Sequence, residues 1–395
     1  MSLGAKTLSL VLFCIFLERS ALAEQPAMTA PPAARTVVTI RGDRFFVNER
    51  PTYSGKKWEG NSVEGLLFNS RMVQGIFDDE NPRTRALWAY PDTGRWDPDR
   101  NTSEFVAAMP AWRAHGLLAF TLNLQGGGPI YDKPFPYDQY LNSAYGTDGQ
   151  LKAPAIARLR RIMERADALG MVVILGLSYF GMDHRFIDSP EAFHRLTDDL
   201  IDHLAAHDDR NVVIEVANEK TEVTTRSGKV SVVEVLRRMR AKARSAYHGG
   251  FLLPMTTSHG GGGALPSEEV LREVDIVLLH GNGQSPRHHV EMIERTRELL
   301  GKVRGDPRAL PIVFNEAGPW WDYKHIDTWM DAFKECARRG VSWGYFDQGE
   351  GKIAAERRVG SIYESGYQTP PVNWGINTPA KRAFFETLRG ITGNR

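Results

Sequence analysis

Runs of β-branched and aliphatic residues alternate along this chain with stretches whose apolar residues recur every three or four positions. The first pattern marks buried strands and the second amphipathic helices. Strand-like runs fall near 66–73, 117–124, 171–177, 211–218, 251–257, 275–280, 311–316 and 341–347. Helical stretches fall near 102–115, 152–169, 190–206, 231–246, 266–273, 286–302, 325–339 and 378–389, so the chain reads as eight βα units. Strands that are apolar throughout, such as Met171-Val172-Val173-Ile174-Leu175, belong to a parallel sheet covered on both faces. Eight such repeats predict an α/β fold closed into a (β/α)8 TIM barrel. Gly116, Gly170, Gly250 and Gly340 stand just before strands, where a helix ends and a left-handed residue is favoured. A doubly wound open sheet is the runner-up, but no GxGxxG or GxxxxGK(S/T) opens a helix after a strand.

A short hairpin over residues 36–40 and 44–47, turning at Gly42-Asp43, precedes the barrel. Further upstream, Lys6 leads into the apolar run Leu8 to Leu17, and Ala21-Leu22-Ala23 has the small-x-small form that a signal peptidase cuts. Residues 1–23 therefore read as a signal peptide, 24–35 as a flexible Ala- and Pro-rich leader, and 36–395 as a single catalytic domain. The apolar run is too short to span a bilayer as a mature helix. A retained short anchor is the alternative, because Glu18 and Arg19 end the run. The expected product is a secreted or periplasmic monomer with no membrane span once the signal is removed.

Charge narrows the partners. The 395 residues hold 49 Lys and Arg against 48 Asp and Glu, and without Lys6, Arg19 and Glu18 the balance is 47 against 47. No basic field is available to hold nucleic acid. Cys14 leaves with the signal, which makes Cys336 the single thiol and excludes an intrachain disulfide, a thiolate zinc site and CxxC redox chemistry. A chain 42% hydrophobic and 25% charged is neither disordered, collagenous nor a coiled coil.

Residues 78–100, 125–150 and 348–377 are long βα loops, and such loops build the active face of a barrel. They carry Trp88, Tyr90, Trp96, Tyr131, Phe135, Tyr137, Tyr140, Tyr363, Tyr367 and Trp374, and the loop after strand seven adds Trp320, Trp321 and Tyr323. Rings mixed with Asp, Asn and Gln suit stacking on sugar faces and bonding to hydroxyls. Their other use is to hold the loops down. Strand four ends Ile214-Glu215-Val216-Ala217-Asn218-Glu219, and strand seven ends Phe314-Asn315-Glu316. Strands four and seven lie across a barrel from each other, so both terminal carboxylates converge over its mouth. Two carboxylates flanking one bond suit glycoside hydrolysis, one protonating the leaving oxygen while the other attacks. A lone strand-end Glu caps a helix or pairs with a loop Arg as readily; a matched pair argues against that. The implied partner is carbohydrate, with no cofactor or metal, and a catalytically silent carbohydrate-binding barrel is the second class of function.

Other clusters carry less. His259-Gly260-Gly261-Gly262 has no GxSxG to make it an esterase oxyanion loop, and reads as a turn that lets backbone approach substrate. His203 and His207 lack the HExxH glutamate and read as a solvated pair. Asp78, Asp79 and Glu80, followed by Asn81, read as an acidic turn rather than a calcium site. Asp183-His184-Arg185 lines a pocket or forms a surface salt bridge.

These segments resemble clan A glycoside hydrolases, nearest the cellulase-like glycoside hydrolase family 5. Ile214 to Glu219 is similar to that family's yElxNE segment, Phe314-Asn315-Glu316 to its strand-seven nucleophile segment, and Phe46-Val47-Asn48-Glu49-Arg50-Pro51 to its fxvNGxP hairpin, with Glu49 in place of Gly. The resemblance implies Glu219 as acid/base, Glu316 as nucleophile, Asn218 as partner of the substrate 2-hydroxyl, and retention of anomeric configuration. Departures are equally specific. His280 matches, but His280-Gly281-Asn282 puts Asn282 where the family has tyrosine. The platform tryptophan falls on Phe346, with Trp343 as a substitute. Asn123 and Gln125 end strand two without an arginine, which leaves Arg71 of strand one to supply positive charge beside Glu316. Lys220 replaces the proline after the acid/base.

Overall fold

In the computed structural model the described residues are Met1, 36–125, 140–179, 183–320, 325–349, 363 and 365–394, without the side chains of Pro319 and Trp320. Residues 2–35 of the expected signal and leader lie outside them, as do Tyr131, Phe135, Tyr137, Trp321 and Tyr323. Residues Ala33–Arg395 form one compact unit.

The apolar runs become eight strands: β1 Asn69–Arg71, β2 Ala119–Asn123, β3 Val172–Tyr179, β4 Val212–Asn218, β5 Met255–Thr256, β6 Val277–His280, β7 Ile312–Trp320 and β8 Gly344–Asp347. Each leads to a helix: α1 Pro98–Ala114, α2 Ala153–Leu169, α3 Pro190–Ala206, α4 Val232–Ala246, α5 Glu268–Glu273, α6 Pro286–Arg304, α7 Ile326–Arg338 and α8 Pro379–Thr392. All strand pairs in the sheet are parallel, in the order β5-β4-β3-β2-β1-β8-β7-β6. The seam between β5 and β6 closes through a Ser258 to Leu278 bridge, Asp275 N–H donating to Met255 O at 2.9 Å, and Thr256 Oγ1 donating to Ile276 O at 2.6 Å. The fold is a (β/α)8 barrel.

Helix ends obey the local chemistry of the chain. Asp97, Ser189, Ser267, Ser285 and Thr378 accept backbone N–H bonds at the starts of α1, α3, α5, α6 and α8. The four glycines that precede strands all have positive φ, between 65° and 98°. Alternation along each strand separates two cores. Phe68, Phe120, Val173, Ile214 and Phe314 face the helices, whereas Leu67, Val172, Ile174, Val213, Leu278 and Val313 fill the barrel. The N-terminal hairpin, Val38–Arg41 against Arg44–Val47, adds Val38 and Phe45 to that inner core and plugs the end of the barrel opposite the active face.

Two features were illegible as periodicity. Glu222–Thr224 pairs with Lys229–Ser231 inside the loop between β4 and α4, and Lys57–Trp58 pairs with Asn61–Ser62 before β1. Strands of two or three mixed residues carry no apolar period. Among the described residues no helix is long and apolar enough to cross a membrane.

One hairpin turn is strained by its sequence. Val47 pairs with Arg50, so Asn48-Glu49 is a two-residue loop, and both residues have positive φ, 51° and 65°. That geometry favours Asn-Gly. Glu49 pairs with Arg41 at an exposed position, which contributes little. Glu49→Gly should therefore stabilise the protein by about 0.5–1 kcal/mol, read as a higher urea midpoint. A lower midpoint would show that the ion pair outweighs the backbone strain.

Candidate active site

A bulge in β7 sets the site. Leu279 of β6 pairs with Phe314, but the next pair is His280 with Glu316, which leaves Asn315 as the extra residue. Val313 faces the barrel and Phe314 the helices, so regular alternation would send Glu316 outward with Phe314. The inserted residue returns it to the mouth, as bulges re-aim side chains. Asn315 is wholly buried, and neither of its amide atoms has a hydrogen-bond partner among the described residues.

Glu219 arrives by a different route. It lies one residue past β4 with φ at 58°, an uncommon conformation for a residue other than glycine, and its N–H donates to Ser258 Oγ at 3.0 Å. His280 then joins the two acids. Its Nδ1 is 2.6 Å from Glu219 Oε1 and 3.4 Å from Glu316 Oε2, and its Nε2 is buried without a partner among the described residues. One ligand atom from each of Glu219, His280 and Glu316 lies within 4.8 Å of the other two.

Arg71 spans the site from β1. Its Nε is 2.9 Å from Glu316 Oε2 as an ion pair, and its Nη2 donates to Asn218 Oδ1 at 2.7 Å. Asn282 Nδ2 donates to the other oxygen of Glu316 at 2.9 Å. Asn218 Nδ2 has no partner among the described residues and is buried at the mouth. The Glu-His-Glu spacing would admit a metal ion, but Arg71 already lies against Glu316 and His280 against Glu219.

Charge is shared within this group. Burial raises Glu316 above the ordinary carboxylate value, with Arg71 and His280 pulling it down and the like charges of Glu219 and Glu215 pushing it up. Burial also acts to raise Glu219. The hydrogen bond and charge of His280, the charge of Arg71 and the Gly261 amide outweigh that and bring it below its ordinary value. Burial opposes a charged imidazole on His280, yet Glu316 and Glu219 raise it above the usual histidine value. These directions favour a charged imidazole on His280 beside an ionised Glu219.

Other expected site residues fall in different places. Gln125 is buried and its Oε1 accepts from Tyr145 Oη at 3.1 Å and Tyr179 N at 3.0 Å, which ties loops together. Asn123 packs its Oδ1 over Gly176, where a Cβ would come within 2.3 Å. Trp343 does not reach the mouth: it stacks on Phe333 at 4.8 Å and packs against Phe384 in the outer core, because its strand position faces the helices. Phe346 is 1% exposed, so it offers no open platform. Trp320 ends β7, and its side chain lies outside the described residues.

The loop aromatics are mostly loop core. Trp88, Tyr90, Trp96, Tyr140, Tyr367 and Trp374 are buried, and only Tyr363 among the described ones is half-exposed. Asp79 organises the acidic turn. Its carboxylate accepts from Asn81 N, Leu141 N, Thr84 Oγ1 and Trp88 Nε1, at 2.6 to 2.9 Å. Asp78 pairs with Arg85. The His203 and His207 rings lie 4.4 Å apart, tilted by 44°; His207 is exposed, but His203 is half-buried with its Nε2 enclosed, so the pair is not solvated as a unit. Asp183 is buried and accepts from Thr224 N at 2.6 Å, so it braces the 222–231 hairpin.

Sequence reasoning missed Glu215, which is wholly buried with neither oxygen hydrogen-bonded among the described residues. The signal was present, since four residues along a strand return to the same face and Glu215 stands four before Glu219. It also missed the Gly261 amide. A Cβ on Gly261 would sit 3.1 Å from Glu219 Oε1, so the glycine allows backbone to reach that carboxylate.

No protein-family model matches this sequence, and no curated protein matches it. Solved structures share the fold. A glycoside hydrolase family 5 mannosidase from Rhizomucor miehei superposes with TM-score 0.56 at 11% identity, over 91% of this chain and 98% of that one. The endo-1,4-beta-mannanase from Rhizomucor miehei gives TM-score 0.51 at 10% identity, over 91% and 100%. A b-glucuronidase from Ruminococcus gnavus gives 0.50 at 12% identity, over 89% of this chain and 52% of that one. At these identities the likeness establishes the barrel.

The shared proton has a spectroscopic consequence. Glu219→Gln removes the negative charge bonded to His280 Nδ1, so the imidazole must lose its proton at lower pH than in the parent protein. Imidazole nitrogen shifts followed by NMR should show that downward displacement, about 1 unit or more for one charged hydrogen bond. An unmoved or raised His280 pKa would contradict the pairing.

Proposed function

We propose that this chain is a retaining glycoside hydrolase acting on a β-linked poly- or oligosaccharide, with Glu316 as nucleophile and Glu219 as acid/base. The observation that carries the reading is the proximity of the two strand-end carboxylates, with oxygens within 4.8 Å and one imidazole between them. Inverting enzymes hold their carboxyl groups about 6.5–9.5 Å apart to seat a water. A closer pair supports direct attack by one carboxylate on the anomeric carbon.

The chemistry follows from the contacts. A sugar entering the mouth displaces water and strengthens the burial that already acts to raise Glu219. The proton on His280 Nδ1 then passes 2.6 Å to Glu219 Oε1, which leaves His280 neutral and the total charge of the site unchanged. Arg71 and Asn282 keep Glu316 as a carboxylate. Its oxygen forms a bond to the anomeric carbon as the glycosidic C–O bond breaks, and the departing oxygen takes the Glu219 proton. Glu219, now a carboxylate, removes a proton from water, whose oxygen displaces Glu316 from the same carbon. Asn218 Nδ2, buried and without a partner among the described residues, is placed to donate to the 2-hydroxyl. The mannosidase and mannanase that share the fold make β-mannosides the first substrates to try, beside β-glucans and xylans. Binding sugar without cleaving it would need no such pair of buried acids.

The two glutamates should fail differently when replaced. Glu316→Ala should lose several orders of magnitude on every substrate, because the attacking group is gone. Glu219→Ala should retain a glycosylation burst on aryl glycosides with good leaving groups, become nearly inert on oligosaccharides, and be accelerated by azide. Equal losses on both substrate types without azide rescue, or an active Glu316→Ala enzyme, would overturn the assignment.

A further inference from the structure

A second feature adjoins Glu219. A cavity of about 440 Å³ opens between the Glu222–Thr224/Lys229–Ser231 hairpin and the glycine-rich segment after β5, and Glu219 forms part of its wall. That volume is in the range of small-molecule pockets, roughly 300–1,000 Å³. The hairpin is anchored rather than loose. Thr224 N–H donates to buried Asp183, and Arg226 N–H and Ser227 N–H donate to Ile187 O and Asp188 O at 3.0 Å each.

The lining is polar and balanced in charge. Lys229 pairs with Glu222 at 2.9 Å, and Lys220 with Asp183 at 3.5 Å, so neither lysine is left to attract an anion. His259 is the exception among these side chains. It is only 6% exposed, it lines the cavity, and among the described residues no hydrogen bond reaches its ring. Burial, with the nearby charge of His280 adding to it, lowers its pKa to about 4. At neutral pH the ring therefore offers one donor and one acceptor, the pair that adjacent sugar hydroxyls satisfy.

Building on the hydrolase reading above, we propose that this cavity is the leaving-group subsite, that it takes an uncharged saccharide, and that His259 is its hydrogen-bonding specificity determinant. A ring that lines the cavity and makes no hydrogen bond to the protein among the described residues leaves its nitrogens for a ligand hydroxyl. Location agrees, since the group that protonates the leaving oxygen must face the leaving sugar. Lys220 and Lys229 are matched by Asp183 and Glu222, and Glu219 adds a further acid to the wall, so the lining has no cationic excess to favour a uronate.

The test compares leaving groups that reach the cavity with one that does not. The full-length protein and its His259→Ala and His259→Asn variants are assayed on β-1,4-linked manno-, gluco- and xylotriose and on the matching glycosyl fluorides, whose leaving group is a single atom. In His259→Ala the ratio of kcat/KM on trisaccharide to kcat/KM on fluoride should fall about tenfold or more, the size of one or two neutral hydrogen bonds. His259→Asn, which keeps a donor and an acceptor, should recover part of that ratio. A parallel fall on both substrate types, or an unchanged ratio, would assign His259 a structural role and overturn the proposal. If the parent protein cleaves none of them, the hydrolase reading fails by itself, and the subsite is judged by calorimetric titration with the same trisaccharides. Roughly tenfold weaker binding in His259→Ala then supports it, whereas equal affinity or no binding by the parent protein overturns it.

Discussion

Glu316 carries a carboxylate into a space that water scarcely reaches, and the Arg71 guanidinium 2.9 Å away makes that charge tolerable. An unpaired buried carboxylate would neutralise or destabilise the fold. Arg71 is itself wholly buried, so the cation depends on its acid as much as the acid on its cation. The surrounding polar groups follow from this pair. Asn282 bonds the free oxygen of Glu316, Asn218 bonds the free arm of Arg71, and His280 links the pair to Glu219. The groups come from four strand ends, Arg71 on β1, Asn218 and Glu219 at the end of β4, His280 and Asn282 at the end of β6 and Glu316 on β7, so the barrel must close in its observed order before the charges meet. The hairpin plug and inner core, at the opposite end, supply the apolar burial that such a polar mouth cannot.

The same network explains why the two glutamates differ although both end in Asn-Glu. Glu316 has both oxygens engaged, by Arg71 and Asn282. Glu219 is 15% exposed, held by one imidazole and one backbone amide, and lines a cavity. A group that must gain and lose a proton belongs in the second environment, and a group that must stay an anion beside a cation belongs in the first. His280 lies within reach of both acids and couples them, which makes the protonation state a property of the cluster rather than of any one residue.

Much of this was legible in the chain. The βα repeats were plain because each strand is apolar on both faces and each helix on one, and the glycines at the helix ends required a left-handed residue. Glu219 and Glu316 stood out because two strand ends four and seven repeats into a barrel share a sequence. What escaped was geometry that no period encodes. The bulge at Asn315 is invisible in Phe314-Asn315-Glu316, yet without it Glu316 would point toward the helices. Trp343 drew interest as a sugar platform, but strand alternation sends it into the outer core beside Phe333. Loop aromatics such as Trp88 and Tyr140 invited the same reading, and long loops consumed them as cores of their own. His259 to Gly262 read only as a turn that lets backbone approach substrate; the cavity that His259 shares with the 222–231 hairpin depends on residues far apart in the chain.

The central claim is that Glu316 attacks carbon. A 2-deoxy-2-fluoro glycosyl fluoride slows both steps of a retaining mechanism and lets the covalent enzyme accumulate, so peptide mass spectrometry after brief incubation reads the attacking residue directly. The expected result is a single fluorosugar mass on the peptide containing Glu316, absent when Glu316 is replaced by Gln. A label on any other residue, or turnover of an accepted substrate with no covalent adduct and with inversion at the anomeric carbon, would contradict the account.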